Sequence, residues 1–493
     1  MAVLYLKYIE GRIPVVVHGV LCLVAYLFWS VFAVVAVPIM AIFRFLKFFE
    51  YVLISYQKIG TVFSTLDIPF LHETESNRNF IIGMIEVQGE PNIEKLRKLV
   101  LSRLFDKKRN LDVTYQRLSQ IVSRRYLTYV WTDEANFNIK QHIPVYKGVM
   151  PANKKDAEII FSKFAAEPLP KKISPWLFRI IPKEGKESFF IFCKFHHCIG
   201  DGFAMVGLLS QLVDDKPKFI NAINQKSRFL ENQMKRIISG VFTGPLALLA
   251  LVLSINLENP FQAFTTPDKK TVSWSSPISL DLVKKIKTKT GCTVNDVLMS
   301  CLAGAIRTYL TNLKSDKLTD LPIAMTFNSR SVSDKLKKHI PLGNHSGGLF
   351  LNLPIATEDP ITRLHLTRER INKLKSSSHP HLFSFIYFNI VGGLPEFFGR
   401  YSTFAVKRHA SLICSNVPGP TDRLYILGQP VRCIVFTPPL HADLGLAVSL
   451  FSYNNWIELT VMSDENIIAD PTKLTNAFER DVQLLAERIL IAD

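Results

Sequence analysis

Residues 195–202 read FHHCIGDG, and this stretch divides a hydrophobic strand pattern before it from a hydrophobic helix pattern after it. The strand is predicted over Ser188–Phe195 and the helix over Phe203–Val213. The paired histidines therefore lie on a strand-to-helix turn, where glycines let the backbone bend tightly and one imidazole can project. Strands and helices alternate through the rest of the chain in the same way, which predicts a mixed α/β fold.

One imidazole on such a turn is suited to base chemistry. An alcohol that attacks an acyl thioester must lose its proton, and a neutral imidazole with a pKa near neutrality is the best available base for that step. The carboxylate of Asp201 lies four residues after His197. It is expected to hold the histidine geometry, either by a hydrogen bond to the turn or by pairing with an arginine. On the residues alone, a buried and satisfied histidine pair remains an alternative. A metal site is disfavoured, because two adjacent ring donors seldom face one ion.

Several motifs follow one another along the chain in an order that resembles a known family. His196-His197-xxx-Asp201-Gly202 matches the HHxxxDG motif of coenzyme A-dependent acyltransferases related to chloramphenicol acetyltransferase. The chain as a whole, from about Phe80 to Leu490, resembles the wax ester synthase/diacylglycerol acyltransferase family. The other motifs are a PLP…PW segment at Pro168–Trp176 that lacks one Leu of the family pattern, an ND motif at Thr293–Val297, a GN…LP segment from Gly343 to Pro354, and SNVPGP at Ser415–Pro420.

The resemblance implies roles for the residues of the turn. The second histidine of the motif is the general base in that family, so His197 is expected to take this role. Asp201 is expected to support the site structurally, and His196 to support it as well. Gly202 is expected to lie against the substrate.

Two further motifs supply candidate substrate-binding residues. Asn295 and Asp296 begin a predicted helix, so they either bind substrate or cap that helix as part of a capping box opened by Thr293. Ser415 and Asn416 either donate hydrogen bonds to the thioester oxygen as charge develops on it, or only form a Pro-Gly turn.

The resemblance also implies the architecture. Two domains of the chloramphenicol acetyltransferase type are expected, each a mixed β-sheet with helices, and the length of 493 residues suits two domains. The active site is expected in a channel between them, with acyl-CoA entering from one mouth and the lipid alcohol from the other. The expected segments are an anchor over 1–59, a first domain over 60–235, an apolar interdomain segment over 236–264 and a second domain over 265–493.

Two uncharged runs indicate contact with a membrane. Ile13–Phe43 exceeds the roughly 20 residues needed to cross a bilayer, and Pro38 within it also permits a hairpin. Arg44–Ser55 continues as an aromatic, basic stretch suited to a membrane surface. Ile237–Leu257 is predicted to dip into the surface, with a second span as the alternative. A buried core helix is the alternative for the first run.

The net charge and the cysteine content limit the possible binding partners and the cellular compartment of the protein. The net charge is +17, but the basic residues are spread along the chain without a zinc-finger or RNA-binding pattern. We therefore expect anionic lipid headgroups and coenzyme A phosphates as partners, and no nucleic acid. Seven cysteines at wide spacing show no disulfide or zinc pattern. Together with the anchor, this predicts a catalytic body in the cytosol on the endoplasmic reticulum membrane.

The expected reaction is transfer of a fatty acyl group from acyl-CoA to a long-chain fatty alcohol, which yields a wax ester. Acyl-CoA is a co-substrate, and no bound cofactor or metal is expected. Diacylglycerol is the alternative acceptor, since nothing in the sequence measures the acceptor tunnel. A catalytically silent lipid-binding relative is the second alternative, against which the intact motif around His197 argues.

Overall fold

The structure is a computed structural model, and its description is confined to part of the chain. The residues that it describes are 15–75, 78–105, 115–215, 245–246, 249, 260–261, 269–313, 318–328, 330, 340–377, 391–394, 396, 399, 409–440 and 444–490.

Helices and strands alternate along these residues as the sequence predicts. The helices are α1 (Val15–Tyr56), α2 (Ile93–Leu104), α3 (Ile139–His142), α4 (Lys154–Ala166), α5 (Gly202–Leu209), α6 (Leu280–Thr290), α7 (Val294–Asn312), α8 (Pro360–Ser376) and α9 (Thr472–Leu490). The strands are β1 (Thr61–Val62), β2 (Phe80–Gln88), β3 (Gln120–Arg124), β4 (Tyr129–Asp133), β5 (Trp176–Pro182), β6 (Ser188–His196), β7 (Lys270–Trp274), β8 (Ile278–Ser279), β9 (Leu321–Asn328), β10 (Ser346–Leu353), β11 (Ile413–Pro418), β12 (Tyr425–Ile426), β13 (Gln429–Thr437), β14 (Leu446–Tyr453) and β15 (Trp456–Asp464).

The described strands form three sheets, and one of these sheets joins the two halves of the chain. The first half forms a small sheet, β1-β4-β3, and most of a five-stranded sheet of order β12-β13-β2-β6-β5. The second half forms a sheet of order β10-β9-β11-β14-β15-β7, with β8 added beside β15. Strands β12 and β13 belong to the second half of the sequence, yet β13 pairs antiparallel with β2. The predicted domain boundaries, at residues 235 and 265, assign β13 to the second domain and so miss its pairing with β2. The composition of a strand does not indicate which sheet the strand joins.

The two large sheets share buried apolar contacts. One buried cluster joins Met84 and Phe192 of the first sheet to Ala447 and Met462 of the second. On its other face the second sheet is covered by α6, α7, α8 and α9, whose apolar side chains form the largest core. Burial of these apolar surfaces is the main stabilising term of each domain.

Local signals in the sequence predict several elements closely. Strand β6 covers the predicted Ser188–Phe195 and extends it by one residue, and α7 begins at the predicted capping box. There the Thr293 hydroxyl accepts from the Asp296 amide at 3.2 Å, and the Asp296 carboxylate accepts from the Thr293 amide at 2.8 Å. These predictions are confirmed because caps and hydrophobic periods depend on neighbours in the chain.

The N-terminal run forms helix α1, which contains Pro38. No single described helix meets the length and hydropathy needed to cross a membrane, whereas the pair Gly19–Val34 and Val37–Tyr56, bent by 48°, meets them together. Of the second run, Ile237–Leu257, the structure describes residues 245, 246 and 249 only, so most of the predicted interdomain segment lies outside the described residues.

Candidate active site

The HHxxxDG turn connects β6 to α5. Asp201 is the N-cap of α5, and its carboxylate accepts from the Ala204 amide at 2.9 Å. The turn lies directly against the Gly343 backbone, whose amide donates to the Ile199 carbonyl at 2.9 Å. A Cβ on Gly200 would lie 3.0 Å from the Gly343 nitrogen, so this position leaves little room for a side chain. The close approach of two glycines therefore fixes the path of the turn.

His197 is held by contacts on several sides. Its ring stacks on Phe70 with the ring centres 3.8 Å apart. Its amide donates to the Asn79 carbonyl at 2.7 Å, and its own carbonyl accepts from the Asn344 side chain at 2.8 Å. Its Nδ1 is buried and has no hydrogen-bond partner among the described residues. Packing and backbone contacts thus orient the imidazole.

Burial sets the protonation state of His197. It lowers the pKa of the ring to about 4, against the opposing effect of the negative charge on Asp201. A ring with this pKa is neutral at physiological pH and carries a lone pair that can take up a proton. His197 therefore meets the electrostatic requirement for a general base.

Asp201 forms a buried ion pair with Arg330. One guanidinium nitrogen lies 2.7 Å from each carboxylate oxygen, and both side chains are almost fully buried. The second guanidinium nitrogen donates to the Gly343 carbonyl at 2.9 Å, and the Asp201 carboxylate also accepts from the His345 amide at 2.8 Å. Asp201 therefore caps α5 and also pairs with Arg330. The ion pair connects the histidine turn to the second half of the chain.

A second ion pair holds the other side of the turn. Arg117 donates to Asp67 at 2.8 Å and also to the carbonyls of Cys198 and Ile199 at 3.1 and 3.0 Å. Asp67 is fully buried and accepts from both the backbone and the side-chain amide of Asn344. The segment carrying Asn344 is consequently held between two ion pairs, one on each side of the histidine turn.

The ring of His196 has contacts of its own. Its Nδ1 lies 3.1 Å from the Cys198 amide nitrogen, and its Nε2 lies 3.3 Å from the Glu73 carboxylate. Glu73 in turn accepts from the Asn79 amide at 2.9 Å. These contacts are those of a residue that shapes the turn.

The two remaining motifs meet each other. The Asn416 side chain donates to the Asn295 side chain at 3.0 Å, and the Ser415 hydroxyl accepts from Thr326 at 3.1 Å. Asp296 takes part in the helix cap described above, and substrate contact by these four residues stays a prediction. The next residue of SNVPGP, Val417, lies 3.8 Å from where a Cβ on Gly202 would be. The SNVPGP strand therefore passes beside the histidine turn.

Two neighbouring apolar cavities lie at this contact and beside it. The first is lined by Gly202 and Val417 among others and has an empty volume of about 500 Å³, including its open mouth. The second, of about 760 Å³ including its open mouth, lies between the five-stranded sheet and α2. Both are lined by residues of β2, β6, β13, β14 and α5, which are Ile85, Cys193, Val206, Leu209, Ile434 and Phe451. A long aliphatic chain is the kind of group that such a lining accommodates.

Sequence reasoning missed most of the residues that hold the turn. Asp67, Arg117 and Arg330 stand outside every motif. Arg117 is 50 residues from Asp67 and Arg330 is 129 residues from Asp201, so no local pattern indicates these pairs. Asn344 lies inside the GN…LP segment, but the motif alone does not indicate that this side chain holds the turn. Among the described residues, no group of three or more His, Cys, Asp or Glu could hold a metal ion.

Comparison with known proteins identifies the family. Residues 63–255 match the model of the wax ester synthase/diacylglycerol acyltransferase catalytic domain, and residues 342–486 match that of the C-terminal domain of the same family. The chain belongs to the wax ester synthase/diacylglycerol acyltransferase family. It is therefore an acyl-CoA-dependent O-acyltransferase.

Relatives of this acyltransferase come from bacteria and plants. A putative diacylglycerol O-acyltransferase of Mycobacterium tuberculosis is 25% identical, over 73% of this chain and 76% of the relative. Wax ester synthase/diacylglycerol acyltransferase 7 of Arabidopsis thaliana is 23% identical, over 82% of this chain and 96% of the relative.

Solved structures share the fold of the acyltransferase. The wax ester synthase/diacylglycerol acyltransferase from Marinobacter aquaeolei VT8 has a TM-score of 0.63 at 16% identity, over 87% of this chain and 98% of that one. A starter condensation domain of rhizomide synthetase, solved with C8-CoA, has a TM-score of 0.54 at 12% identity, over 88% of this chain and 96% of that one. The predicted two-domain α/β fold is confirmed.

The low pKa of His197 leads to a prediction for the pH profile of the acyltransferase. A base works only when it is deprotonated, and the pKa of this ring lies near 4 instead of its ordinary 6.5. We expect kcat/KM to stay level from pH 8 down to about 5.5 and to fall only below that. Initial rates in buffers of constant ionic strength check this. A fall centred near pH 6.5 would show that the base is not the buried ring.

Proposed function

We propose that this enzyme transfers a fatty acyl group from acyl-CoA to a long-chain alcohol and so makes wax esters. The apolar cavity lined by Gly202 and Val417 carries the proposal, because it offers an aliphatic chain a binding place beside the histidine turn, with a second apolar cavity next to it. Burying a methylene group of such a chain contributes about 0.8 kcal/mol. A substrate with a long chain therefore gains much of its binding free energy away from the reacting atoms.

In the proposed mechanism His197 acts as the general base. The neutral ring takes the proton of the alcohol hydroxyl while the alcohol oxygen attacks the thioester carbon and a C–O bond forms. The C–S bond then breaks, the proton passes to the leaving sulfur, and free coenzyme A departs. Ser415 and Asn416 are proposed to stabilise the negative charge on the thioester oxygen. In this mechanism acyl-CoA is a co-substrate, and no bound metal or prosthetic group takes part.

Diacylglycerol is the second candidate acceptor. The Mycobacterium tuberculosis relative carries a diacylglycerol O-acyltransferase name, and the Arabidopsis thaliana relative carries both activities in its name. A hydroxyl of diacylglycerol would lose its proton to His197 by the same chemistry. The reaction is the same for both acceptors. They differ in the size of the group that carries the hydroxyl.

Lipid analysis of yeast cells that lack triacylglycerol and wax esters tests the proposal. Cells expressing this chain are fed fatty alcohols, and their neutral lipids are separated and quantified. Wax ester alone supports the first acceptor, triacylglycerol alone supports the second, and both together indicate a dual enzyme. Neither product, with the protein present and folded, would contradict the proposal.

We further propose that the enzyme resides on the endoplasmic reticulum membrane with its catalytic body in the cytosol. Helix α1 exposes many large apolar side chains, and all seven cysteines are free. Asn344-His345-Ser346 is a formal N-glycosylation sequence. It cannot report topology, because Asn344 is buried and its side chain donates to Asp67 and to the His197 carbonyl. Protease protection on sealed microsomes is the appropriate test, and a body shielded until detergent is added would contradict the cytosolic placement.

A substitution in the cavity is expected to change chain-length selectivity. Val206 lines both cavities, so the larger side chain in Val206→Phe should fill part of the space where the two cavities adjoin. We expect kcat/KM to fall about tenfold or more for a long-chain substrate and to change little for a short one, since each lost methylene contact costs about 0.8 kcal/mol. Val206→Leu is the matched control. An equal loss for all chain lengths would contradict the assignment of the cavity.

A further inference from the structure

The second arm of α1, Val37–Tyr56, turns its polar side chains toward the protein and its apolar side chains outward. Near its end, Lys47 is buried and Glu50 and Tyr51 are half-buried against the protein, with Ile54 one turn further on. The opposite side carries large apolar side chains that are about half exposed or more. We call these the outer stripe, and they are Phe45, Phe48, Phe49, Val52 and Leu53. A helix on a water-facing surface shows the opposite arrangement, with its apolar side inward.

Hydrogen bonds hold the inner side of this arm to the catalytic body. The two carboxylate oxygens of Glu50 accept from the consecutive amides of Tyr126 and Leu127, at 2.9 and 3.0 Å. These amides belong to the turn between β3 and β4. The chain that leaves the helix then pairs with β4 as β1. The arm is thus fastened at a fixed rotation, so its outer stripe cannot turn inward without breaking these contacts.

The first arm, Gly19–Val34, packs on the second apolar run. The Trp29 indole donates to the Pro245 carbonyl at 2.8 Å, and Ala25 is fully buried in a small cluster with Leu246 and Leu249. Further apolar side chains of this arm, such as Leu23, Leu27 and Val31, are exposed. Exposed apolar side chains, such as Val34, Val37 and Ile42, also link this arm to the outer stripe. A large exposed apolar surface of this kind marks contact with a membrane or a partner.

We propose that the second arm lies along a phospholipid leaflet, with the outer stripe among the acyl chains and the inner side on the catalytic body. A straight helix of 42 residues would be about 63 Å long, roughly twice the hydrocarbon thickness of a bilayer. The 48° bend lets the two arms take different directions, so one can enter the bilayer while the other follows its surface. Lipid is the occupant that matches an apolar surface continuing over both arms. This inference deepens the proposed membrane location and does not depend on the acceptor.

Site-specific fluorescence on the full-length protein tests the arrangement. The protein is reconstituted in vesicles of phosphatidylcholine and phosphatidylserine, with the two partly exposed cysteines, Cys22 and Cys433, changed to Ser. An environment-sensitive fluorophore is attached at Phe49→Cys in one sample. The matched control is Leu484→Cys, an apolar residue that is 42% exposed on α9 of the second domain. Quenching by doxyl-labelled lipid and by iodide is measured at each site.

Lipid contact requires a reciprocal pattern. Doxyl lipid should quench the fluorophore at position 49 severalfold more than at position 484, and iodide should do the reverse. Quenching at 49 by iodide alone would overturn the proposal, because the stripe would face water. Protection at 49 from both quenchers would also overturn it, since the stripe would then be covered by protein. Acyl transfer measured on the same vesicles separates these outcomes from a failure of the proposed reaction.

Discussion

Replacing His197 with Ala is expected to remove nearly all acyl transfer while leaving the protein folded and on the membrane. Loss of a general base typically costs 10²–10⁴-fold in rate, and a buried, oriented base should lie at the upper end of that range. The contacts that use the backbone of this residue, from Asn344 and to Asn79, do not need its side chain. Single-turnover rates with purified protein, beside a melting curve, make the measurement.

His196→Ala is the control for this prediction. His196 is also buried and lies next to the base, but its ring contacts Glu73 and the Cys198 amide. Loss of the His196 ring should disturb the turn. It should lower the rate of acyl transfer less than loss of the His197 ring does. An active His197→Ala enzyme together with an inactive His196→Ala enzyme would show that the two roles are exchanged.

Asp201→Asn is expected to lower both activity and stability. The substitution keeps the shape of the side chain but leaves the buried guanidinium of Arg330 without its counter-charge. Breaking a buried pair from one side typically costs about 3–5 kcal/mol in the free energy of unfolding. The helix cap and the path of the turn should loosen together, so kcat should fall as well. Chemical denaturation and initial rates measure the two effects.

A surface ion pair provides the matched control for Asp201. Glu187 pairs with Lys183 at 2.7 Å, and its side chain is 58% exposed. Glu187→Gln should leave stability almost unchanged, because water screens an exposed pair. The double variant Asp201→Asn with Arg330→Gln should recover part of the lost stability, since no buried charge remains. An inactive Asp201→Asn enzyme of unchanged stability would instead assign the carboxylate a direct part in the chemistry.

The strands and helices around the site could be predicted because they follow from local chemistry. The hydrophobic strand β6, the capping box at Thr293 and the change from strand to helix at the histidine pair each depend on a few neighbouring residues. The candidate base could also be predicted, since the HHxxxDG spacing places a histidine on a turn between two hydrophobic elements. The motif resemblance then indicated the family and the two-domain fold.

By itself, then, the sequence determined the secondary structure near the site, the family and the identity of the candidate base. Only the tertiary structure showed that Arg117 and Arg330 hold the turn, that β13 crosses into the first sheet, and that the second arm of α1 presents its apolar side outward. The physical reason is range. Periodicity and capping act over three or four residues, whereas ion pairs, strand exchange and the rotation of a helix depend on residues that only folding brings together.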